Sequence, residues 1–181
     1  MEASAIDQKR LKMHASAYRE VVWNAETAWP RECCGALLGR WIDGQEIVCE
    51  AMPAVGANTA TGRDFFRIGT QDMVAFHARA LRNGWRILGF FHSHPDGTSV
   101  PSRADLPKGN EDGAAQDGAT WPEHCLLIVG VQSGKCHGVG AYRLTTDTGA
   151  GDNHLRDLRY EALELEIIAA DRRAWDDAAG K

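Results

Sequence analysis

Residues 87–91, Ile-Leu-Gly-Phe-Phe, form an unbroken apolar run that ends abruptly in His92-Ser93-His94-Pro95. A strand with apolar side chains pointing both ways has to lie inside a sheet covered on both faces. That requirement selects a layered α/β arrangement, and the rest of the chain supplies the pieces. Over residues 16–29, Tyr18, Val21, Val22, Ala25 and Ala28 fall at helical spacing, and Pro30 stops the helix. Two apolar runs, 36–42 and 46–52, flank Asp43-Gly44, a strong hairpin signal. Thr70 is expected to cap a helix carrying Met73, Val74, His77, Ala80 and Leu81, closed by Asn83-Gly84. Runs 125–131 and 136–144 read as strands joined at Ser133-Gly134, and 65–68 as a short strand. Leu155, Leu158, Ala162, Leu165 and Ala169 predict a terminal helix over 154–175. The polar stretches 53–62 and 145–153 read as loops, and the Gly/Asp-rich stretch 106–120 as a flexible excursion.

A chain of 181 residues is the size of one domain. We expect a loose N-terminal segment over 1–15, the domain proper over 16–175 and a tail over 176–181. The net charge of -5 leaves no basic excess to neutralise phosphates, which argues against a nucleic-acid binder. No apolar run is long enough to span a bilayer, and the N-terminus has no signal-peptide core, so a cytoplasmic location is expected. Five cysteines without a C-x-x-C pair fit neither a disulfide framework nor a cysteine zinc knuckle. They read as small buried hydrophobes.

The chemistry gathers at the end of the 87–91 run. Side chains alternate along a strand, so His92 and His94 share a face, about 6.6 Å apart along the backbone. Two imidazoles so placed can close on one ion. Seven residues after His94 comes Ser102, and Asp105 follows three later. Serine with an acid three residues on is a helix-start pattern that puts both side chains on one face. Two imidazoles and a carboxylate make a zinc set with a fourth position open for water. A hydrolase also needs a base near that water, and Glu32, between the Pro30 stop and the next strand, is the candidate.

These residues resemble the pattern of the JAMM (MPN-plus) zinc metallopeptidases: an upstream glutamate, H-[ST]-H-P, then seven residues after the second histidine, a serine, two residues and an aspartate. The spacing matches in full, E-C-C-G-A-L-L-G from Glu32 is similar to the family's glutamate-bearing strand, and the resemblance runs over roughly residues 18–144. It implies one zinc per chain held by His92, His94 and Asp105. It implies Glu32 as the general base and Ser102 as the donor to the oxyanion. It also implies a deaminase-like fold, a mixed and mainly antiparallel sheet flanked by helices. The activity implied, for a bacterial-type member, is hydrolysis of a peptide or isopeptide bond at the C-terminal tail of a ubiquitin-like protein. The tail would bind extended along a sheet edge, and proteins of a conjugation pathway are possible partners. The stretches 53–64 and 106–120 are where relatives contact substrate.

Other readings account for less. Strand-end histidines alone are commonly structural, but not with Asp105, Ser102 and Glu32 at this spacing. Asp96 reads as a solvated loop acid, with a supporting role behind the ligands as the alternative. His14, His77, His124, His137 and His154 lack metal spacing, and the tryptophans read as core or loop anchors. A nucleoside deaminase needs H-x-E and P-C-x-x-C, which do not occur. H-E-x-x-H is also absent. A cysteine protease using Cys33 or Cys34 would resist chelators. A non-catalytic binding scaffold of the MPN type is the principal alternative, and the intact ligand set argues against it.

Overall fold

In a computed structural model of the chain, residues 9–55, 68–105, 108–109, 115–116, 124–146 and 158–169 are described. The order is β1 (Arg10–His14), α1 (Ala15–Ala28), β2 (Cys34–Ile42), β3 (Gln45–Pro53), α2 (Thr70–Arg82), β4 (Arg86–His94), a 3-10 turn (Arg103–Asp105), β5 (Lys108–Gly109), β6 (Ala115–Gln116), β7 (Cys125–Gln132), β8 (Lys135–Thr146) and β9 (Leu158–Ile168). Seven strands close on themselves in the order β1-β3-β2-β4-β7-β8-β9, and β5 and β6 form a separate two-stranded ladder. The closed sheet is mixed. The neighbours β2–β3, β2–β4, β7–β8 and β8–β9 are antiparallel, while β4–β7, β1–β3 and β1–β9 are parallel.

The two hairpins form as their turn residues require. Asp43 and Gly44 have φ of 51° and 79°, and Ser133 and Gly134 have 54° and 72°. Two consecutive positive φ values give the turn whose twist matches the strands it joins. β4 is central, bonded to β2 on one side and β7 on the other. Its two faces pack on different helices, as its apolar run demands. Leu88 and Phe91 join Ala17, Val21 and Ala25 of α1 in one core cluster, with Leu37, Val48, Leu127 and Val129. Ile87 and Phe90 join Phe76 and Ala80 of α2 in the other.

The structure corrects the expected sheet with flanking helices. The sheet curls into a barrel around α1, whose buried stripe of Ala17, Val21 and Ala25 lies at i, i+4, i+8. The small alanines let the helix approach the strands closely. Glu26 of α1 also accepts a hydrogen bond from the Cys136 amide at the start of β8, at 2.9 Å. Only α2 lies outside, tied to β3 by a two-pronged Arg79–Glu50 pair with contacts of 2.8–3.1 Å.

Two strands replace expected irregular or helical segments, and they are the ones that close the barrel. Residues 10–14, expected to be loose, form β1, with Leu11 and Met13 fully buried. Burying each contributes about 1.5–3 kcal/mol. These residues are thus part of the closed sheet. Residues 158–168, expected within a terminal helix, form β9. Its segment Leu163-Glu164-Leu165-Glu166-Ile167 alternates with period two. Leu163 is buried and Leu165 packs on the core, while Arg10 of β1 reaches Glu164 and Glu166 across the parallel seam. A helix could not make that alternating contact.

Smaller differences follow the same logic. Thr70 is the first residue of α2 rather than its cap, which is Gly69, and Asn83-Gly84 closes the helix as expected. α1 ends at Trp29-Pro30, joined by a cis peptide bond. Trp23, Trp29 and Trp41 are exposed rather than core anchors. The expected strand at 65–67, the 56–62 part of the loop, most of 106–123 and the ends 1–8 and 170–181 lie outside the described residues. Among the described residues, no helix is long and apolar enough to cross a membrane.

Candidate metal centre

The site stands where β4 ends. His92 and His94 lie on the face of β4 that α2 covers lower down, and both are buried. Their Nε2 atoms are 2.9 Å apart. The chain then turns through Gly97, whose φ of +87° suits glycine, and runs back to Asp105. Asp105 Oδ1 lies 2.9 Å from His92 Nε2, and Oδ2 lies 3.6 Å from His94 Nε2.

The return of this loop has a local cause. The Ser102 amide donates to Asp105 Oδ2 at 2.5 Å, and the Asp105 amide donates to the Ser102 carbonyl at 3.2 Å. These bonds wind one 3-10 turn and hold the carboxylate towards the histidines. Two tyrosines fasten the loop from outside. Tyr142 of β8 donates to the Ser99 carbonyl, and Tyr160 of β9 donates to the carbonyl of Asp105 itself at 2.8 Å. The sequence reading missed both, because nothing in the spacing links residue 160 to residue 105. A tyrosine within a period-two segment was the available signal.

Glu32 sits just before β2, half-buried. Its backbone is fixed across β4 by a reciprocal pair of bonds: the Cys33 amide donates to Ser93 Oγ at 2.9 Å, and the Ser93 amide donates to the Cys33 carbonyl at 3.0 Å. Thus the serine between the two histidines anchors the segment that carries the glutamate. Glu32 is close enough for its charge to raise the pKa of His94.

The electrostatics are those of a cation site. Burial would raise Asp105, but hydrogen bonds from His92, His94 and Ser102 overcome it and hold the carboxyl well below its usual range. Burial pulls His94 down, yet the hydrogen bond and charge of Asp105, with Glu32 and Asp96 behind it, leave its pKa raised. Fully buried His92 is pushed down by desolvation, which outweighs Asp105.

The ligand atoms of His92, His94 and Asp105 all lie within 4.8 Å of one another. Zinc bonds of about 2.0–2.1 Å at tetrahedral angles separate ligand atoms by about 3.3 Å, and the observed 2.9, 2.9 and 3.6 Å bracket that edge. Two imidazoles and a carboxylate are also the right chemical set. The residues therefore fit the metal that the motif implies.

Seven strands curled round one helix, with two histidines and an aspartate gathered at the end of the central strand, define the class as a mixed α/β barrel carrying a cluster of residues that could hold a metal. The chain belongs to the prokaryotic homologs of the JAB domain, which its residues 14–144 match. It is 28% identical over 99 residues to a desampylase from Haloferax volcanii, a match covering 55% of this chain and 62% of that protein. The chain thus spans less than two thirds of that relative's length. Two solution structures share the fold. One, of a Desulfitobacterium hafniense protein, has a TM-score of 0.64 at 21% identity, covering 88% of this chain and 94% of that one. The other, of a Salinibacter ruber protein, has a TM-score of 0.58 at 26% identity, covering 90% and 93%.

Proposed function

We propose that the protein is a zinc-dependent hydrolase that cuts a peptide or isopeptide bond at the C-terminal tail of a ubiquitin-like protein. The observation that carries this reading is the convergence of His92, His94 and Asp105 in a chain of the JAB-domain family. The similarity to a desampylase supports the substrate class.

In this reading His92, His94 and Asp105 hold one zinc ion. Zinc so held supplies Lewis acidity, lowering the pKa of a water to about 7. The Glu32 carboxylate takes a proton from the attacking water and delivers it to the departing nitrogen. The anchor of the adjoining Cys33 backbone on Ser93 fixes the segment that carries it beside β4. Ser102 is exposed, and its hydroxyl is a rotor that can swing from Asp105 to donate to the carbonyl oxygen as that oxygen gains negative charge.

An extended tail cannot simply extend the main sheet, because its seven strands close. Pairing outside the barrel is required, and the β5–β6 ladder, next in the chain after Asp105, offers edges for it. The five cysteines are unpaired, which suits action in a reducing cytoplasm, among the proteins of a conjugation pathway.

The test is cleavage of a panel of ubiquitin-like fusions by zinc-loaded protein, beside Glu32→Gln. The variant should keep its zinc and lose about 10²–10⁴ in rate. Zinc binding by the wild type with every fusion left intact would favour the scaffold instead.

A further inference from the structure

The stretch Asp96-Gly97-Thr98 stands behind the ligand His94, on the side away from Asp105. The ring Nδ1 of His94 is 3.2 Å from Thr98 Oγ1. Thr98 Oγ1 is in turn 2.7 Å from Asp96 Oδ1, and the Thr98 amide donates to the same oxygen at 2.8 Å. The proton positions in this chain follow from what each group can do. A carboxylate only accepts, so the single hydroxyl proton of Thr98 must point at Asp96. The hydroxyl oxygen then presents lone pairs to His94, and the ring can bond to it only by donating from Nδ1. A neutral imidazole protonated at Nδ1 has its lone pair at Nε2, the atom facing His92 and Asp105.

We infer that Asp96 and Thr98 are positioning residues that fix the tautomer of His94, so that Nε2 is offered to the metal. The inference rests on the proposal that His94 is a ligand, and deepens it. Metal-bound histidines draw much of their orientation and basicity from the partner of the other ring nitrogen. Here that partner is a hydroxyl polarised by a carboxylate, not a carboxylate itself.

The backbone holds the relay in place. Gly130 of β7 lies under the turn so closely that a Cβ there would meet the Gly97 carbonyl oxygen at 2.2 Å. Across β7–β8 its register partner is Gly138, whose added Cβ would touch Ser99 Oγ at 3.2 Å. Two glycines side by side thus form a flat seat for residues 97–99. The Tyr142 hydroxyl holds the Ser99 carbonyl down on it. With the turn seated, Thr98 has little freedom to leave the His94 ring.

The experiment has two readouts. The first is the tautomer of His94 in the metal-free wild type, read from ring nitrogen shifts by NMR at a pH where the ring is neutral. The expected result is a proton on Nδ1. A proton on Nε2 would overturn the inference whether or not the protein binds zinc. The second is zinc affinity, by competition with a chromophoric chelator, of wild type, Thr98→Val and Thr98→Ser. Valine keeps the shape but sets a methyl against the ring N–H and keeps water from replacing the hydroxyl, so affinity should fall about tenfold. Serine restores the hydroxyl and should bind within about twofold of wild type, a rescue that a purely steric role would not give. Equal affinity of the valine variant and the wild type would overturn the inference. A wild type that binds no zinc at all would instead overturn the metal reading, with the tautomer still decided by NMR.

Discussion

The barrel carries buried charge at both ends, and the two ends are built differently. At one, His92, His94 and Asp105 turn two imidazole nitrogens and a carboxylate towards a common point. At the other, buried Glu46 of β3 meets the partly buried Arg143 of β8 directly. The strand register sets them apart. His92 is level with Cys34 at the start of β2, whereas Glu46 is level with Trp41 near its end. Glu46 and Arg143 answer each other directly, an acid met by a guanidinium. The cluster at the end of β4 converges only electron-pair donors, with the negative charges of Glu32 and Asp96 nearby, and in the proposed reading a cation completes it. Buried charge alone does not mark a site; the balance of donors and acceptors does.

Changes at either end should therefore separate stability from metal binding. Glu46→Ala should produce the largest loss of stability, about 3–5 kcal/mol, because it strands Arg143 in the barrel. Zinc affinity per folded molecule should stay as in the wild type. Denaturant titration and zinc competition on the same sample would check both, and a loss of affinity would break the separation of the two ends.

The ligand end should carry its own pH signature in metal-free protein. The lowered pKa of Asp105 means stability that is present above the unfolded carboxylate value, near 4, and is lost as pH falls through the folded one. The raised pKa of His94 means stability that is full below its unfolded value, near 6.5, and is lost as pH rises through the folded one. The Asp105–His94 contribution should peak between those limits and be flattened by Asp105→Asn, while buried His92, whose lowered pKa costs stability as pH falls below about 6.5, opposes it on the acid side. Saturating zinc should abolish the alkaline decline, because the neutral imidazole is the ligand.

The smallest effect concerns the closing strand. Tyr160→Phe removes only the hydroxyl that holds the Asp105 carbonyl. It should cost about 0.5–1.5 kcal/mol of stability and weaken zinc binding several-fold in the same competition assay. Unchanged affinity would mean that β9 closes the barrel without supporting the ligand loop.

This difference between the ends also explains what the sequence disclosed. The central strand, both hairpins and both helices were legible because each is written in a short window: an apolar run, a D-G or S-G turn, a 3.6-residue period. The clustering of His92, His94 and Asp105 was legible because the return of the chain from His94 to Asp105 is short and local. β1 and β9 were not. Arg10–His14 hides two buried apolar side chains among basic residues, and Leu158, Ala162, Leu165 and Ala169 satisfy a helical period as well as Leu163, Leu165 and Ile167 satisfy a strand's. Their identity is decided by a parallel pairing between residues some 150 positions apart, which no local pattern encodes. Closure of the sheet, the Tyr160 hydrogen bond and the Glu46–Arg143 pair all depend on that pairing, and all were missed together. Asp96 is an exposed loop acid, as its position suggested, but its bonds to Thr98, which bear on the alternative of a supporting role, appear only once the turn is seated on Gly130.

The central claim is most directly tested by the zinc content of natively purified protein, measured beside His92→Ala and Asp105→Ala. The account predicts about one zinc per wild-type chain and none in either variant, with both variants still folded. A wild type that takes up no zinc even when zinc is added back, or variants that keep it, would contradict the account.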